Sequence, residues 1–290
     1  MLTEGKLEVY DCDYLQNFSA PALESIDGPN GDLYFRDLPR LRTIHLPLLR
    51  KVGGFLALLD TPLLSIVTAS IGDHFGGSIM ITNTSLSNLD FLLSTTGSWP
   101  QQTGRNGSQY TRLIIADNPQ LGNITISSSK LYEVDIHNNG PAMGINLPYL
   151  HTCLDLHVSS AASLNVPLLE SVEKDFSIVN NSMVNLSLPK FDQVWRRVTI
   201  SNNTLLRYFS SSFSSLGSRD SFGGGLTITG NTALTTIDLT NLAKIQGRTV
   251  ISNNPLLSSI KLENLSEARS MNISGNFSRH VKPLSIRWTC

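Results

Sequence analysis

The sequence holds no run of about 18 apolar residues, the least a membrane-spanning helix needs, so no transmembrane segment is expected. It is short of charge. Its 22 Lys and Arg nearly balance its 23 Asp and Glu, and the net charge is −1. The basic residues are scattered, which leaves no electrostatic footprint for nucleic acid or an anionic membrane. Pairs such as Arg196-Arg197 read as solvated surface. No segment sustains an i, i+3, i+4, i+7 pattern long enough for a three-turn helix. There is no GxSxG, no P-loop and no dinucleotide fingerprint, so no cofactor is expected. Gly223-Gly224-Gly225 precedes a strand-like run and is corner glycine rather than a phosphate cradle. Cysteine is scarce and odd in number, at three, with no C-x-x-C or Cys/His zinc spacing.

The termini also lack things. "MLTEGKLEVYDCDYL" has no basic region followed by an apolar one, and "LSIRWTC" has no hydrophobic tail for a lipid anchor. Alone, these ends would describe a cytosolic chain. The acceptor pattern Asn-x-Ser/Thr points the other way. It occurs ten times, at Asn17, Asn83, Asn106, Asn123, Asn180, Asn185, Asn202, Asn264, Asn272 and Asn276. Chance predicts about four or five for this composition. The expectation is a secreted glycoprotein whose targeting ends are missing from this sequence.

What is abundant is a repeat. Eleven strand-like segments end in Asn or a stand-in: LYFRDL (33–38), FLALLD (55–60), IMITNT (79–84), LIIADN (113–118), VDIHNN (134–139), LDLHVS (154–159), FSIVNN (176–181), VTISNN (198–203), LTITGN (226–231), TVISNN (249–254) and MNISGN (271–276). Their modal spacing is near 22 residues. Each is commonly followed by L-x-x-φ-x-φ, as in Leu234, Ile237 and Leu239, and then by L-x-x-φ, as in "LPLLRKV" and "VPLLESV". Three short alternating runs per repeat predict three strands per turn. The fold class is therefore all-β, a right-handed parallel β-solenoid of about eleven coils of roughly 22 residues. Coils about 4.8 Å apart would make a rod roughly 50 Å long. The expected layout is an N-terminal cap region over 1–32, the solenoid over 33–276 and a C-terminal tail or cap remnant over 277–290. The solenoid is either one body or two fused halves, 33–153 and 154–276.

Asn suits the corner after the first strand, because it tolerates the left-handed conformation and its amide bonds nearby backbone. Stacked in successive coils, Asn118, Asn139, Asn181, Asn203, Asn231, Asn254 and Asn276 are expected to form a buried ladder, with Asp60, Thr84 and Ser159 in the same slot elsewhere. Where two Asn adjoin, the ladder residue points in and its predecessor points out. That assigns glycans to Asn180 and Asn202 and burial to Asn181 and Asn203. Gly53-Gly54 and Gly76-Gly77 mark the corner before the first strand.

The φ-x-φ-x-x-N-x-x-L-x-x-φ coil, with its "LPxL" and "GG" punctuation, resembles receptor L-domains, as in the insulin and epidermal growth factor receptor ectodomains. Over about residues 33–276 it is most similar to the fungal GPI-anchored cell-wall organisation proteins built from such domains. It also resembles leucine-rich repeats, but there a Leu follows the Asn by two positions. Here it follows by three, as at Asn118/Leu121 and Asn254/Leu257. The resemblance implies a cell-surface or wall glycoprotein with no catalytic residues, a role in wall integrity, and wall polysaccharide or surface proteins as partners. It also implies a Ser/Thr-rich stalk and a lipid anchor, neither of which this sequence contains. A ligand-binding ectodomain is the alternative, and a polysaccharide-cleaving β-helix enzyme a more distant one.

Cys153 takes the last apolar slot of "LPYLHTC", where other coils have Val172 and Val194, so a buried free thiol is expected. Cys12 and Cys290 fall at opposite ends of the expected rod. A disulfide needs Cα atoms within about 7 Å, so they are not expected to pair. Two outward clusters carry chemistry. Asp135, His137, Asp155 and His157, read as matching positions of adjacent coils, form a metal site, a proton-sensitive contact or an acid/base pair, or else an ordinary solvated face. Leu56, Leu58, Met80 and Ile114, read as outward, form either a contact face or the floor under the insertion at 93–112, with Trp99 and Tyr110 as cover. The Ser/Gly-rich run at 210–225 is expected to be a mobile loop.

Overall fold

The computed structural model describes residues 5–72, 74–75, 77–92, 111–217 and 224–274. It is an all-β parallel β-solenoid. No helix among the described residues is long and apolar enough to cross a membrane. The chain divides into two compact units, Met1–Asn146 and Leu147–Cys290, so the division falls slightly before the expected 153/154.

In the first unit the leading strands of the coils are Leu7–Tyr10, Leu33–Arg36, Leu56–Thr61, Ile79–Thr84, Arg112–Ala116 and Lys130–His137. Each pairs in parallel with the next. The register runs Leu33–Leu56–Ile79–Leu113–Val134 and Phe35–Leu58–Ile81–Ile115–Ile136, and all ten of these side chains are buried. These two inner rows are the core, because alternate residues of a strand point to one face. Residues 7–26 already make a coil of this kind, with Asn17–Ser19 and Ser25–Ile26 paired to the coil that follows. The solenoid therefore begins before the expected boundary at 33, inside the stretch read as a cap. It was hidden because Asp11-Cys12 stands where later coils carry Asn.

The second unit repeats the scheme with Thr152–Ser159, Asp175–Val179, Arg197–Ser201, Gly225–Thr229, Lys244–Ser252 and Glu267–Ile273. Cys153 lies in register with Val172, which aligns with Val194 and Leu216. It is buried and free, as its slot predicts. Burial pushes its thiol pKa far up, which makes it an inert core residue. Phe191 sits between Phe176 and Phe213, with ring centroids 4.8 and 4.9 Å away.

The corner after the leading strand has two slots with separate jobs. The first is left-handed, with positive φ at Asp37, Asp60, Asn83, Asp117, Asn138, Ser160, Asn180, Asn202, Gly230 and Asn253. Asn, Asp and Gly tolerate that conformation best, so they recur there. The second slot is buried. Asn118, Asn139, Asn181, Asn203, Asn231 and Asn254 fill it, and the left-handed turn belongs to the residue before each rather than to the ladder residue. The Asn203 amide donates to Asn231 Oδ1 at 3.0 Å and to the Ile178 carbonyl at 3.0 Å. Its own Oδ1 accepts from the Asn181 amide at 3.0 Å and the Asn181 backbone N–H at 2.9 Å. Asn231 repeats this with Asn254, and Asn118 with Asn139. Each amide thereby satisfies buried backbone groups that the turn takes out of the strand ladder. Thr61, Thr84 and Ala161 hold the slot elsewhere. Thr84 belongs there as expected, whereas Asp60 is the left-handed residue before Thr61, and Ser159 precedes the turn at Ser160. Asn276 lies outside the described residues.

The glycine corner works by close approach. A Cβ on Gly77 would overlap the Gly54 carbonyl, and one on Gly54 would overlap the Asp32 carboxylate. Asp32 accepts the Phe55 N–H at 2.8 Å and meets Lys6 at 3.0 Å.

Candidate functional site

The side chains that alternate with the inner rows face outward and are the surface each unit can offer. In the first unit they form two rows. One runs Tyr34, Ala57, Met80, Ile114 and Asp135, and the other Arg36, Leu59, Thr82, Ala116 and His137. The centre is apolar and half-buried or buried. One end carries Arg36 over the Tyr34 ring at 5.8 Å, and the other a 2.9 Å contact between His137 Nδ1 and Asp135 Oδ1. Met80 and Ile114 stand outward as expected, but Leu56 and Leu58 do not. They are 0% and 1% exposed and belong to the inner rows. The segment FLALLD begins one residue before the strand it was expected to match. The strand is Leu56–Thr61, and a one-residue slip exchanges the two faces. Ala57 and Leu59 take the outward places. Trp99, Tyr110 and the rest of 93–110 lie outside the described residues.

The expected Asp/His patch also changes. In LDLHVS the left-handed residue is Ser160 and the ladder slot holds Ala161, so the leading strand counts from Leu156. His157 therefore takes the place in its coil that Asp135 takes in its own. Asp155 lies outside the two rows, one place before inner Leu156, and accepts the Asp175 N–H at 3.2 Å with Lys174 at 3.9 Å. The matched pairs Asp135/Asp155 and His137/His157 do not hold. Among the described residues no three His, Cys, Asp or Glu side chains gather closely enough to hold a metal ion.

In the second unit one outward row is His157, Ser177, Thr199, Thr227, Val250 and Asn272, and the other Ser159, Val179, Ser201, Thr229 and Ser252. Seven of these eleven are Ser or Thr, and neither row holds an Asp, Glu, Lys or Arg. Arg197 and Arg248 lie beside the rows, each one place before an inner residue. Exposed Trp195 stands at the corner that leads into the strand Arg197–Ser201.

The glycosylation acceptors fall on one side of a clean partition. Asn17, Asn83, Asn123, Asn180, Asn185, Asn202, Asn264 and Asn272 are all exposed. None of the six buried ladder residues is itself the acceptor of such a pattern, although Asn181 and Asn203 are the middle residues of the patterns that begin at Asn180 and Asn202. Asn180 and Asn202 are left-handed corner residues immediately before buried Asn181 and Asn203. Asn106 and Asn276 lie outside the described residues, as does Cys290, and Cys12 is exposed and free.

Among known proteins, the chain is similar to Sporulation-specific protein 2 of Saccharomyces cerevisiae, at 23% identity over 81% of this chain and 43% of that protein. It is also similar to Protein ecm33 of Aspergillus fumigatus, at 26% identity over 70% of this chain and 47% of that protein. The chain thus spans less than half the length of the curated relatives it matches. No family model matches the chain, and no solved structure does.

Proposed function

We propose that this chain is the solenoid part of a fungal cell-wall or cell-surface glycoprotein that supports wall organisation as a non-enzymatic scaffold. The observation that carries this reading is the division of asparagines. Among the described residues, those that are acceptors are exposed, and those that hold the coils together are not acceptors. A glycan needs an exposed amide, while an amide ladder needs its groups buried and paired. The resemblance of the coil to fungal wall-organisation proteins and the two fungal relatives point to the same compartment. Open strand faces exclude little water, which suits a scaffold better than hydrolytic chemistry.

The test is expression behind a secretion signal in a fungal host, followed by glycopeptide mapping and wall fractionation. The reading expects occupied Asn180, Asn202 and Asn272 and recovery with the wall. Soluble, folded protein with those sites empty would remove it. A second reading is a ligand-binding ectodomain, favoured by half-buried Leu59, Met80 and Ile114 on the outward side of the first unit.

A further inference from the structure

We propose that the hydroxyl-bearing strand face of the second unit binds a neutral β-linked glucan lying across the coils. This deepens the wall-scaffold reading and rests on it. Half-buried Ser177, Thr199 and Thr227 make one row, and half-buried Thr229 and Ser252 run beside it after buried Ser201, all on consecutive parallel strands. Neighbouring strands repeat every 4.8 Å or so, and residues two apart on a strand lie roughly 7 Å apart. The result is a lattice of side-chain hydroxyls, each able to donate one hydrogen bond and accept two. Thr229 and Ser252 hydroxyls already stand 3.3 Å apart across two coils.

The occupant follows from what the lattice offers and omits. A protein partner is held mainly by a desolvated cluster of aromatic or Arg anchors, and these rows contain no aromatic residue. An anionic polymer or a nucleic acid needs cations in the contact, but Arg197 and Arg248 lie beside the rows rather than in them. An uncharged polymer of hydroxyl groups needs neither. It can make the same weak contact, direct or through water, at each coil it crosses. One such contact holds little, but a row of them on one rigid strand face adds through effective concentration. The centre of the first unit offers the single hydroxyl of Thr82 rather than a lattice of them.

The experiment is co-sedimentation of the secreted full chain with particulate linear β-1,3-glucan, with chitin and a sulfated polysaccharide alongside. The triple variant Thr199→Val, Thr227→Val, Thr229→Val keeps side-chain shape and removes three hydroxyls. Val250 already occupies the same row, so the fold should hold, and an unchanged urea midpoint checks this. The expected result is a loss of glucan affinity on the order of tenfold. A control pair on the second strands, Ser210→Ala and Thr236→Val, should stay within about twofold. Unchanged or tighter glucan binding by the triple variant overturns the proposal, since an apolar contact would gain from Val. Salt-sensitive preference for the sulfated polymer overturns it by moving the contact to Arg197 and Arg248. Loss only in Trp195→Ala overturns it by moving the contact to the corner. If the wild-type chain ignores glucan yet fractionates with the wall, only this inference fails. If it binds glucan but is neither glycosylated nor wall-associated, the wall reading fails and the face stands.

Discussion

The two units agree on the inside and differ on the outside. Both bury two apolar rows per leading strand, and both turn the corner with a left-handed residue followed by a buried one. On the outward side the first unit carries half-buried Leu59, Met80 and Ile114 with buried Ala57 and Ala116, while the second carries half-buried Ser177, Thr199, Thr227 and Thr229 with buried Ser201. The buried corner slot differs too. It passes from Leu38 through Thr61 and Thr84 to Asn118 and Asn139 in the first unit, and holds Ala161 and then four consecutive Asn, from Asn181 to Asn254, in the second. Stacking fixes the inner rows, because each coil can bury its apolar side chains only on its neighbours. The outer rows carry no such duty and are free to specialise.

The comparison is tested hardest inside the second unit. Phe191→Ala removes the middle ring of a three-ring stack and should cost about 3–5 kcal/mol, read as a fall in the urea midpoint. Asn203→Ala removes the acceptor for two Asn181 donors and the partner of the Ile178 carbonyl. Buried groups left unpaired cost about 1–3 kcal/mol each, so a loss of about 2–4 kcal/mol is expected after partial relaxation. Thr84→Ala in the first unit removes a hydroxyl that donates to Asn118 Oδ1 at 2.7 Å and accepts the Leu86 N–H at 3.3 Å, and should cost about 1–2 kcal/mol. Equal losses at Asn203 and Thr84 would show that the amide ladder adds nothing over a hydroxyl in the same slot.

Legibility followed the asparagines. Where a coil ends in Asn, as in VTISNN or LIIADN, the inner rows, the ladder residue and the outward partner can all be read by counting back from it. Where Asn is absent the count has no anchor: it holds in LYFRDL but runs one residue early in FLALLD and two in LDLHVS. A slip of one exchanges the faces, which put Leu56 and Leu58 outside. A slip of two keeps the face but misplaces every neighbour, which made matched pairs of Asp135/Asp155 and His137/His157. The division of labour within Asn-Asn was half legible. Exposure of the first and burial of the second follow from the acceptor pattern. That the first also carries the left-handed turn depends on backbone angles with no sequence mark beyond a taste for Asn, Asp and Gly. The contrast between the outer rows could be drawn only once the register was known.

Exchanging the outer rows should change surface chemistry far more than stability. Met80→Ser with Ile114→Thr in the first unit, and Thr199→Val with Thr227→Val in the second, should each shift the unfolding free energy by no more than about 0.5 kcal/mol per site. The first pair should lower binding of a hydrophobic dye, and the second should raise it slightly. A loss above about 2 kcal/mol for Met80→Ser would mean that this side chain is packed under cover rather than presented, and the contrast between the units would then be one of covering, not of surface.

The smallest effect concerns one ion pair in each unit. Lys6 meets Asp32, whose side chain is 9% exposed, and Lys261 meets Asp238 at 2.9 Å, where the carboxylate is 21% exposed. The hydrogen bond from Lys261, and then that from Thr240, holds the Asp238 carboxyl below its ordinary value, while the bonds to Asp32 and Asp238 raise the Lys6 and Lys261 ammonium groups. The signs set opposite windows. The Asp238 contribution is complete above the ordinary carboxylate value and is lost as pH falls through the lower folded one. The lysine contributions are complete below the ordinary lysine value and are lost as pH rises through the higher folded ones. Lys261→Met should therefore move the Asp238 titration midpoint, followed by carboxyl carbon shifts, upward toward the ordinary value. Lys6→Met should leave it in place, because Lys6 pairs with Glu8 and Asp32. Added salt should weaken the Lys261 effect, as expected for an exposed pair. If the Asp238 midpoint stays low in Lys261→Met, the Thr240 hydroxyl at 2.7 Å holds the carboxylate down, and Lys261 adds only a screened surface charge.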